Sequence, residues 1–380
     1  MMTDEKQNIG WIDMLRVVAC FFVVFSHCCD PFVAQFDANR EMFLTGVFAG
    51  SLMRPCVPLF AMMTAVLLLP IKPGTTVNRF YRKRIGRIIV PLAFWSVALP
   101  LMAFLYFTVA NPETANMQLS VNDYTTETLL QRFYTFIFNF NFDTTPLWYL
   151  YMLIGLYLIM PMISSWLTQA TRKEIKTVLC IWGATLLLPY LKMVAPLLGY
   201  KGNYGHMGLY GECDWNVYGT FYYVSGFVGY LILAYYLKRY PLEWSWRKIA
   251  AICIPMFIAG YAITSVGYIV TNEHFPGNYA YLEIVWYFTG INVFMMTFPL
   301  FVTIQKVDTK PRKWLSQVAR LTFGVYLCHF TFTFLSYDLY DTPALPYLVR
   351  IMLAALTTGA ISVLLTWIMS KFRFTRIFVS

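Results

Sequence analysis

Residues 11–29 read WIDMLRVVACFFVVFSHCC, an almost unbroken apolar run. A helix needs about 20 predominantly apolar residues to cross the hydrocarbon of a bilayer, and this stretch meets that requirement. It nevertheless contains three ionisable side chains, those of Asp13, Arg16 and His27. It lacks the small-residue cleavage site of a secretory signal, so we expect it to remain in the mature protein as a transmembrane helix.

The apolar character continues along the whole chain. Of 380 residues, 58% are hydrophobic and 13% are charged, whereas soluble globular chains carry about 25% charged residues. The transmembrane template fits ten stretches, which are residues 11–29, 46–69, 88–110, 147–167, 177–198, 217–237, 249–270, 281–304, 318–334 and 347–369. The sequence therefore predicts an all-α integral membrane protein. We expect residues 1–380 to form a single polytopic domain without a fused soluble domain.

Basic residues gather in alternate connections between these stretches. Residues 70–87 contain six lysines and arginines and no acidic residue, whereas residues 111–146 contain four acidic residues and one arginine. Because Lys and Arg accumulate in cytoplasmic loops, this alternation predicts that both termini are cytoplasmic. The net charge of +10 lies in short juxtamembrane clusters. This placement favours membrane lipid over nucleic acid as a partner.

The first apolar run places charge and imidazole on one stripe. Arg16 and His27 are 11 positions apart (27 minus 16). At about 100° per residue they lie within roughly 20° of the same helix face, about 16 Å apart along the axis. Asp13 lies one turn before Arg16 and can pair with it. Spacing alone leaves two interpretations equally open, a functional site or a topogenic ion pair with a packed core histidine.

Several motifs carry a resemblance to a known family. The segment WIDMLRVVACFFVVFSH resembles the first helix of the integral-membrane acyltransferase 3 family, in which Asp stands two residues before Leu-Arg, and His follows after ten more residues. The similarity continues in the family's order in RPCVPLFAMMTAVLLL from Arg54, RKRIGRIIVP from Arg82 and LTFGVYLCHF from Leu321. Within the family, the chain looks closest to the enterobacterial common antigen O-acetyltransferase group.

The resemblance implies transfer of an acyl group, usually acetyl, from cytoplasmic acyl-CoA to a hydroxyl of a cell-envelope glycan or a lipid-linked saccharide. It makes acetyl-CoA the donor substrate, with no permanently bound cofactor or metal, and places the protein in a bacterial cytoplasmic (inner) membrane. His27 is then the catalytic base, with Arg16 and Asp13 in the same catalytic stripe. Imidazole suits that task because it can accept a proton near neutral pH.

The family pattern also implies a donor site. Arg84 and Arg87 match its paired arginines before the third helix, and guanidinium groups suit the phosphates of CoA. The alternative is that this basic cluster sets topology or meets anionic headgroups.

Three further residues are candidates for acceptor binding. Arg54 precedes Pro55 and Pro58, which should break the second span, so its side chain either faces a polar cavity or snorkels to the headgroups. Trp148 either stacks on a sugar ring or anchors the interface. Glu283 either binds the acceptor or is a solvated glutamate.

Two questions stay open at the level of sequence. His329 is predicted to be buried in the ninth span, where a histidine satisfied by a hydrogen bond is favoured over a second catalytic base. The competing function is a transporter or flippase for a lipid-linked sugar, using Asp13, Arg16, Arg54 and His27 as a polar pathway. A transporter would leave its substrate chemically unchanged, whereas the enzyme would release the CoA thiol.

Overall fold

The structure is a computed structural model that describes residues 10–36, 38–116, 118, 120–138, 141–200, 211, 218–307, 310 and 312–380. Its α-helices are α1 Gly10–Val33, α2 Arg40–Leu52, α3 Cys56–Leu68, α4 Val77–Arg84, α5 Gly86–Leu105, α6 Thr126–Thr135, α7 Trp148–Gln169, α8 Arg172–Thr185, α9 Leu188–Val194, α10 Val228–Arg239, α11 Trp246–His274, α12 Tyr279–Trp286, α13 Ile291–Val307, α14 Lys313–Leu339, α15 Tyr347–Lys371 and α16 Arg373–Arg376. Short 3₁₀ segments and one π-helical turn, Tyr106–Ala110, accompany them.

Ten helical stretches in the described part of the chain are long and apolar enough to cross a membrane. They are Gly10–Val33, Arg40–Leu68, Val77–Ala110, Thr126–Gln169, Arg172–Leu198, Gly219–Arg239, Trp246–His274, Tyr279–Val307, Lys313–Leu339 and Tyr347–Lys371. Each overlaps one of the ten predicted spans, so the all-α membrane fold is confirmed. The first stretch extends four residues beyond the predicted end at residue 29, which places Asp30 inside the helix.

The second span is divided, as its prolines predict. Helix α2 ends at Leu52 and α3 begins at Cys56. Pro55 has no N–H to continue the helical ladder. Pro58 is tolerated because it lies in the first turn of α3, where backbone N–H groups have no intrahelical partner. The break leaves Arg54 in the irregular segment between the two helices.

The chain divides into two compact units, interleaved in sequence. The first unit comprises Met1–Met53, Thr75–Leu158 and Val307–Ser380, and the second comprises Arg54–Gly74 and Ile159–Lys306. The first unit therefore contains α1, α2, α4 to α6, the first half of α7, and α14 to α16. Helices α3 and α8 to α13 belong to the second, with the rest of α7.

In the first unit, α1 is the central helix and packs against α2, α14 and α15. Gly46 of α2 permits the closest of these approaches. A Cβ at that position would lie 2.7 Å from the backbone nitrogen of Val33 and 2.8 Å from Cβ of Phe32, so any larger residue would push α2 away from the end of α1.

Aromatic side chains fill the space beside α14 in the same unit. The cluster comprises Ala103, Phe107, Tyr124, Phe330 and Phe334, with Phe142 packed against it. Because these residues come from α5, α14 and the segment between α5 and α7, the cluster fixes that segment onto the first unit. This packing positions the polar groups described next.

Candidate active site

His27 and Asp30 form a hydrogen-bonded pair near the end of α1. His27 Nδ1 lies 2.7 Å from Asp30 Oδ2, and the two side chains are 20% and 21% exposed. The pair forms because residues three positions apart are neighbours on a helix surface. An ionised carboxylate can only accept a hydrogen bond, so Nδ1 carries the proton and Nε2 of the neutral ring keeps its lone pair. The ring is thus held with its basic nitrogen away from Asp30.

Helix α14 runs parallel to α1 and supplies a second imidazole. Ser316 Oγ donates to Asp13 Oδ2 at 2.5 Å, Cys20 Sγ lies 3.6 Å from the Thr322 carbonyl oxygen, and the rings of His27 and His329 have centroids 5.3 Å apart. Residue numbers rise together along both helices at these three contacts. Successive spans cross a membrane in opposite directions, so the first and ninth spans point the same way. The parallel pairing of α1 and α14 agrees with this.

His329 is fully buried in this arrangement. Its Nδ1 lies 2.7 Å from the carbonyl oxygen of Tyr326, while Nε2 has no hydrogen-bond partner among the described residues. The ring of Phe330, a member of the aromatic cluster, stands edge-on to His27 at 5.1 Å, so the cluster borders the imidazoles. The prediction of a buried histidine with a hydrogen-bond partner is therefore confirmed, although the bond satisfies only one of the two ring nitrogens.

The start of α7 joins this site through aromatic contacts. Tyr326 donates a hydrogen bond to the Pro146 carbonyl and packs edge-on against Tyr149 at 5.5 Å. Trp148, half-buried, lies edge-on to Tyr149 at 6.4 Å. Trp148 is thus connected to His329 through two tyrosine rings, although its sugar-stacking role stays a prediction.

Asp13 and Arg16 occupy the opposite end of α1 from His27. Arg16 Nη1 lies 3.8 Å from Asp13 Oδ1, which confirms the predicted pairing of these two side chains. Asp13 also accepts the hydrogen bond from Ser316 described above. This carboxylate therefore ties α1 to α14 about four turns away from His27.

Arg84 and Arg87 flank the junction between α4 and α5 in the first unit. Tyr106, near the far end of α5, donates to Asp338 Oδ2 near the end of α14 at 2.7 Å. Helix α5 therefore runs parallel to α14 and α1. Its beginning, with both arginines, lies towards the end of the unit that contains Asp13. Arg84 is half-buried and Arg87 is exposed.

The family comparison supplies what geometry alone does not. The model of a family described as an acyltransferase domain, the acyltransferase 3 family, matches residues 9–370. The chain belongs to the acyltransferase 3 family. No curated protein and no solved structure matches the chain. The family match covers nearly the whole acyltransferase chain and does not select the enterobacterial common antigen group within it.

Two residues predicted to bind the acceptor of this acyltransferase lie in the second unit. Arg54 Nε and Nη2 donate to the Trp286 carbonyl oxygen at 2.9 and 2.6 Å, and its guanidinium carbon lies 4.2 Å from the Phe288 ring centroid. The guanidinium thus holds the C-terminal end of α12 through two hydrogen bonds. Glu283 is exposed on α12. Acceptor binding by either residue stays a prediction.

The structure also shows functional candidates that sequence reasoning missed. From the sequence, Asp30 was assigned to the loop after the first span. Its position three residues after His27 would have indicated a contact if the helix had been extended to Val33.

Arg132 and Asp143 form a largely buried ion pair, with Nε and Oδ1 3.5 Å apart, and the Arg132 guanidinium lies over the Tyr124 ring. Burial, followed by the nearby Asp143 carboxylate, raises the pKa of Tyr124, so this phenol stays protonated.

Possible metal ligands do not cluster in the part of the acyltransferase that the structure describes. Its His, Cys, Asp and Glu side chains include no group of three or more that could hold a metal ion. The buried cysteines, including Cys20, Cys28 and Cys328, carry no disulfide and sit between helices.

Proposed function

We propose that this acyltransferase moves an acetyl group from acetyl-CoA to a hydroxyl of a cell-envelope glycan or lipid-linked saccharide, with His27 as the general base. The observation that supports the proposal is the 2.7 Å contact between His27 Nδ1 and Asp30 Oδ2. A carboxylate in that position selects the tautomer with a basic Nε2 and stabilises the imidazolium that forms on proton uptake. The glycan acceptor follows from the sequence resemblance to the enterobacterial common antigen group.

The reaction requires one proton to travel through His27. Its Nε2 removes the proton of the acceptor hydroxyl while the oxygen attacks the thioester carbonyl carbon. The C–S bond then breaks, the ester forms, and His27 returns the proton to the thiolate of CoA. Products are the acetylated acceptor and the free CoA thiol. Atoms and charge balance in this step without a co-reactant besides acetyl-CoA and the acceptor.

The donor would enter at the end of the unit opposite His27. Arg84 and Arg87 supply guanidinium groups for the CoA phosphates at that end. Arg16 and His27 are 11 residues apart on one helix (27 minus 16), which corresponds to about 16 Å. The pantetheine arm would therefore carry the thioester along α1 towards His27.

Asp13 and Arg16 serve this site as positioning residues. Asp13 accepts from Ser316 of α14 at 2.5 Å and faces Arg16 on its own helix. These bonds set the register of α1 against α14, and the same register sets His27 beside His329. The proposal locates the protein in a bacterial inner membrane with both termini cytoplasmic and membrane lipid around the spans.

The test is acetyl transfer from labelled acetyl-CoA in membranes that contain the acyltransferase. His27→Ala should lower the rate by about 10² to 10⁴-fold, the typical contribution of general acid–base catalysis. The matched control is His274→Ala, because His274 is an exposed histidine at the end of α11. Full transfer by His27→Ala at equal expression would reject the catalytic assignment.

The same assay separates the enzyme from a transporter or flippase. An acyltransferase releases one CoA thiol for each acetyl group transferred, whereas a transporter moves the saccharide without covalent change. Thiol release should rise with the amount of acceptor and disappear in His27→Ala membranes. Gradient-driven movement of an unmodified saccharide, without thiol release, would favour the transporter.

A further inference from the structure

His329 contains a buried polar atom that has no hydrogen-bond partner among the residues that the structure describes. The residue is 0% exposed, and among the described residues its Nε2 makes no hydrogen bond. A buried acceptor or donor without a partner destabilises the folded state, because the group has given up its hydrogen bonds to water. Such a group in a native structure calls for an explanation, and a ligand that completes the bond is one.

The second ring nitrogen fixes what kind of partner is missing. His329 Nδ1 lies 2.7 Å from the carbonyl oxygen of Tyr326. A carbonyl oxygen can only accept a hydrogen bond, so Nδ1 carries the proton. The Nε2 atom of the neutral ring is then an acceptor. The missing partner must therefore be an O–H or N–H group.

The two neighbouring imidazoles are equipped for different tasks. Each holds its Nδ1 proton in a hydrogen bond within its own helix, but His27 faces the Asp30 carboxylate and His329 faces a neutral carbonyl. A carboxylate stabilises the positive charge of a protonated ring more than a carbonyl does. His27 is thus suited to take a proton, and His329 to accept a hydrogen bond without ionising.

We propose that His329 Nε2 accepts a hydrogen bond from an O–H or N–H group of a substrate held beside His27. This inference rests on the proposed function and names a substrate-binding residue for the same site. The ring centroids of the two histidines are 5.3 Å apart, so a substrate bound at His27 lies next to the His329 ring. Two sources carry suitable donors: a second hydroxyl of the saccharide acceptor, and an amide N–H of the pantetheine arm.

Two substitutions divide the functions of the His329 ring. In His329→Asn, the side-chain amide nitrogen can replace Nδ1 and keep the bond to the Tyr326 carbonyl, but the Nε2 acceptor is lost. In His329→Gln, the longer side chain can place its carbonyl oxygen where Nε2 was, at the expense of the Tyr326 bond. A substrate-binding role and a purely structural role therefore predict opposite orders of activity.

The experiment measures initial rates of transfer from labelled acetyl-CoA in membranes with matched amounts of each variant. His329→Asn should lose about tenfold in kcat/KM, as expected for one lost hydrogen bond to substrate. His329→Gln should stay within about threefold of the unmodified protein and melt at a lower temperature. The control is His274→Asn, since His274 Nδ1 also bonds a backbone carbonyl, that of Val270 at 3.0 Å, but on an exposed residue.

The two kinetic constants identify the source of the donor group. A higher KM for acetyl-CoA in His329→Asn identifies the pantetheine amide. A lower kcat at saturating acetyl-CoA, with the KM for acetyl-CoA unchanged, identifies a hydroxyl of the acceptor. Either result supports the inference. Unchanged kcat and KM in His329→Asn would overturn it.

Failure of the proposed function gives a different pattern. If His27→Ala transfers acetyl groups at the full rate, the catalytic assignment fails, and the inference about His329 falls with it. If His27→Ala is inactive while His329→Asn is fully active, only the inference about His329 fails. The two variants measured side by side keep these outcomes apart.

Discussion

The two units of the molecule treat a buried polar side chain differently, as His329 and Asn292 show. Both residues are 0% exposed. Asn292, in the second unit, donates from Nδ2 to Thr264 Oγ1 at 2.8 Å and to the Val285 carbonyl oxygen at 2.6 Å. Its Oδ1 accepts from the Tyr190 hydroxyl at 2.5 Å. His329, in the first unit, has a hydrogen-bond partner for one ring nitrogen and none for the other within the described part of the chain.

The difference separates a structural polar network from a binding site. Asn292 uses both amide hydrogens and its oxygen to join α9, α11, α12 and α13, so each of its polar side-chain atoms has a protein partner. Fully satisfied networks of this kind rigidify a core. His329 lies beside an ionisable pair and offers an unused acceptor. Among the described residues, the buried side-chain atoms without a hydrogen-bond partner all belong to the first unit, where the proposed chemistry takes place.

The largest loss of acetyl transfer among these predictions is expected at Asp30, in the first unit. In Asp30→Asn the amide can donate to His27 Nδ1 and so select the wrong tautomer, which leaves no lone pair on Nε2. We expect acetyl transfer to fall by about a hundredfold or more, with the melting temperature unchanged. Asp30→Glu, which keeps the carboxylate, should recover part of the rate. Equal rates for Asp30→Asn and the unmodified protein would show that Asp30 does not orient the catalytic ring.

The second prediction tests the structural side of the comparison. Asn292→Leu leaves the half-buried Tyr190 hydroxyl and the Val285 carbonyl oxygen without this partner, which costs about 1–3 kcal/mol each. In contrast, Thr264 Oγ1 keeps its bond to a backbone carbonyl oxygen of its own helix. We expect the melting temperature in detergent to fall by several degrees, while transfer per folded molecule is retained. His329→Asn should show the reverse, with reduced transfer and an unchanged melting temperature. Parallel losses in both variants would remove the distinction between the units.

The fold could be predicted from the sequence because a bilayer imposes a length and a polarity on every span. Hydropathy located all ten spans, and Pro55 with Pro58 located the break between α2 and α3. The pairing of α1 with α14 could not be predicted from hydropathy or from the prolines. It depends on contacts 302 residues apart in sequence, such as that of Cys20 with Thr322, which no local pattern encodes.

The site was predictable only along a single helix. The 3.6-residue period placed Arg16 and His27 on one face, and the resemblance gave that face a chemistry. Asp30 was missed because the helix was expected to end at residue 29, before Pro31, whereas α1 continues to Val33. Whether His329 meets His27 depends on how α14 packs, so its unsatisfied nitrogen could be found only in the structure.

A smaller effect is expected at the donor end of the first unit. Arg84→Lys and Arg87→Lys keep the charge but lose the planar fork that grips a phosphate. We expect the KM for acetyl-CoA to rise about five- to tenfold at unchanged kcat. The control is Arg79→Lys, because Arg79 is an exposed member of the same basic cluster on α4. If Arg79→Lys has the same effect, the cluster acts through general charge and the paired arginines hold no specific phosphate.

The smallest effect is expected at Glu283, and it sharpens the comparison from the second unit. Glu283 is an exposed residue of α12, and a solvated surface substitution usually changes stability by less than about 0.5 kcal/mol. If the chemistry is confined to the first unit, Glu283→Gln should change kcat/KM by less than about twofold and leave the melting temperature unchanged. A rise of tenfold in the KM of the saccharide acceptor would instead assign Glu283 to acceptor binding. In that case incomplete polar groups would not suffice to locate the site, because a fully solvated carboxylate would also belong to it.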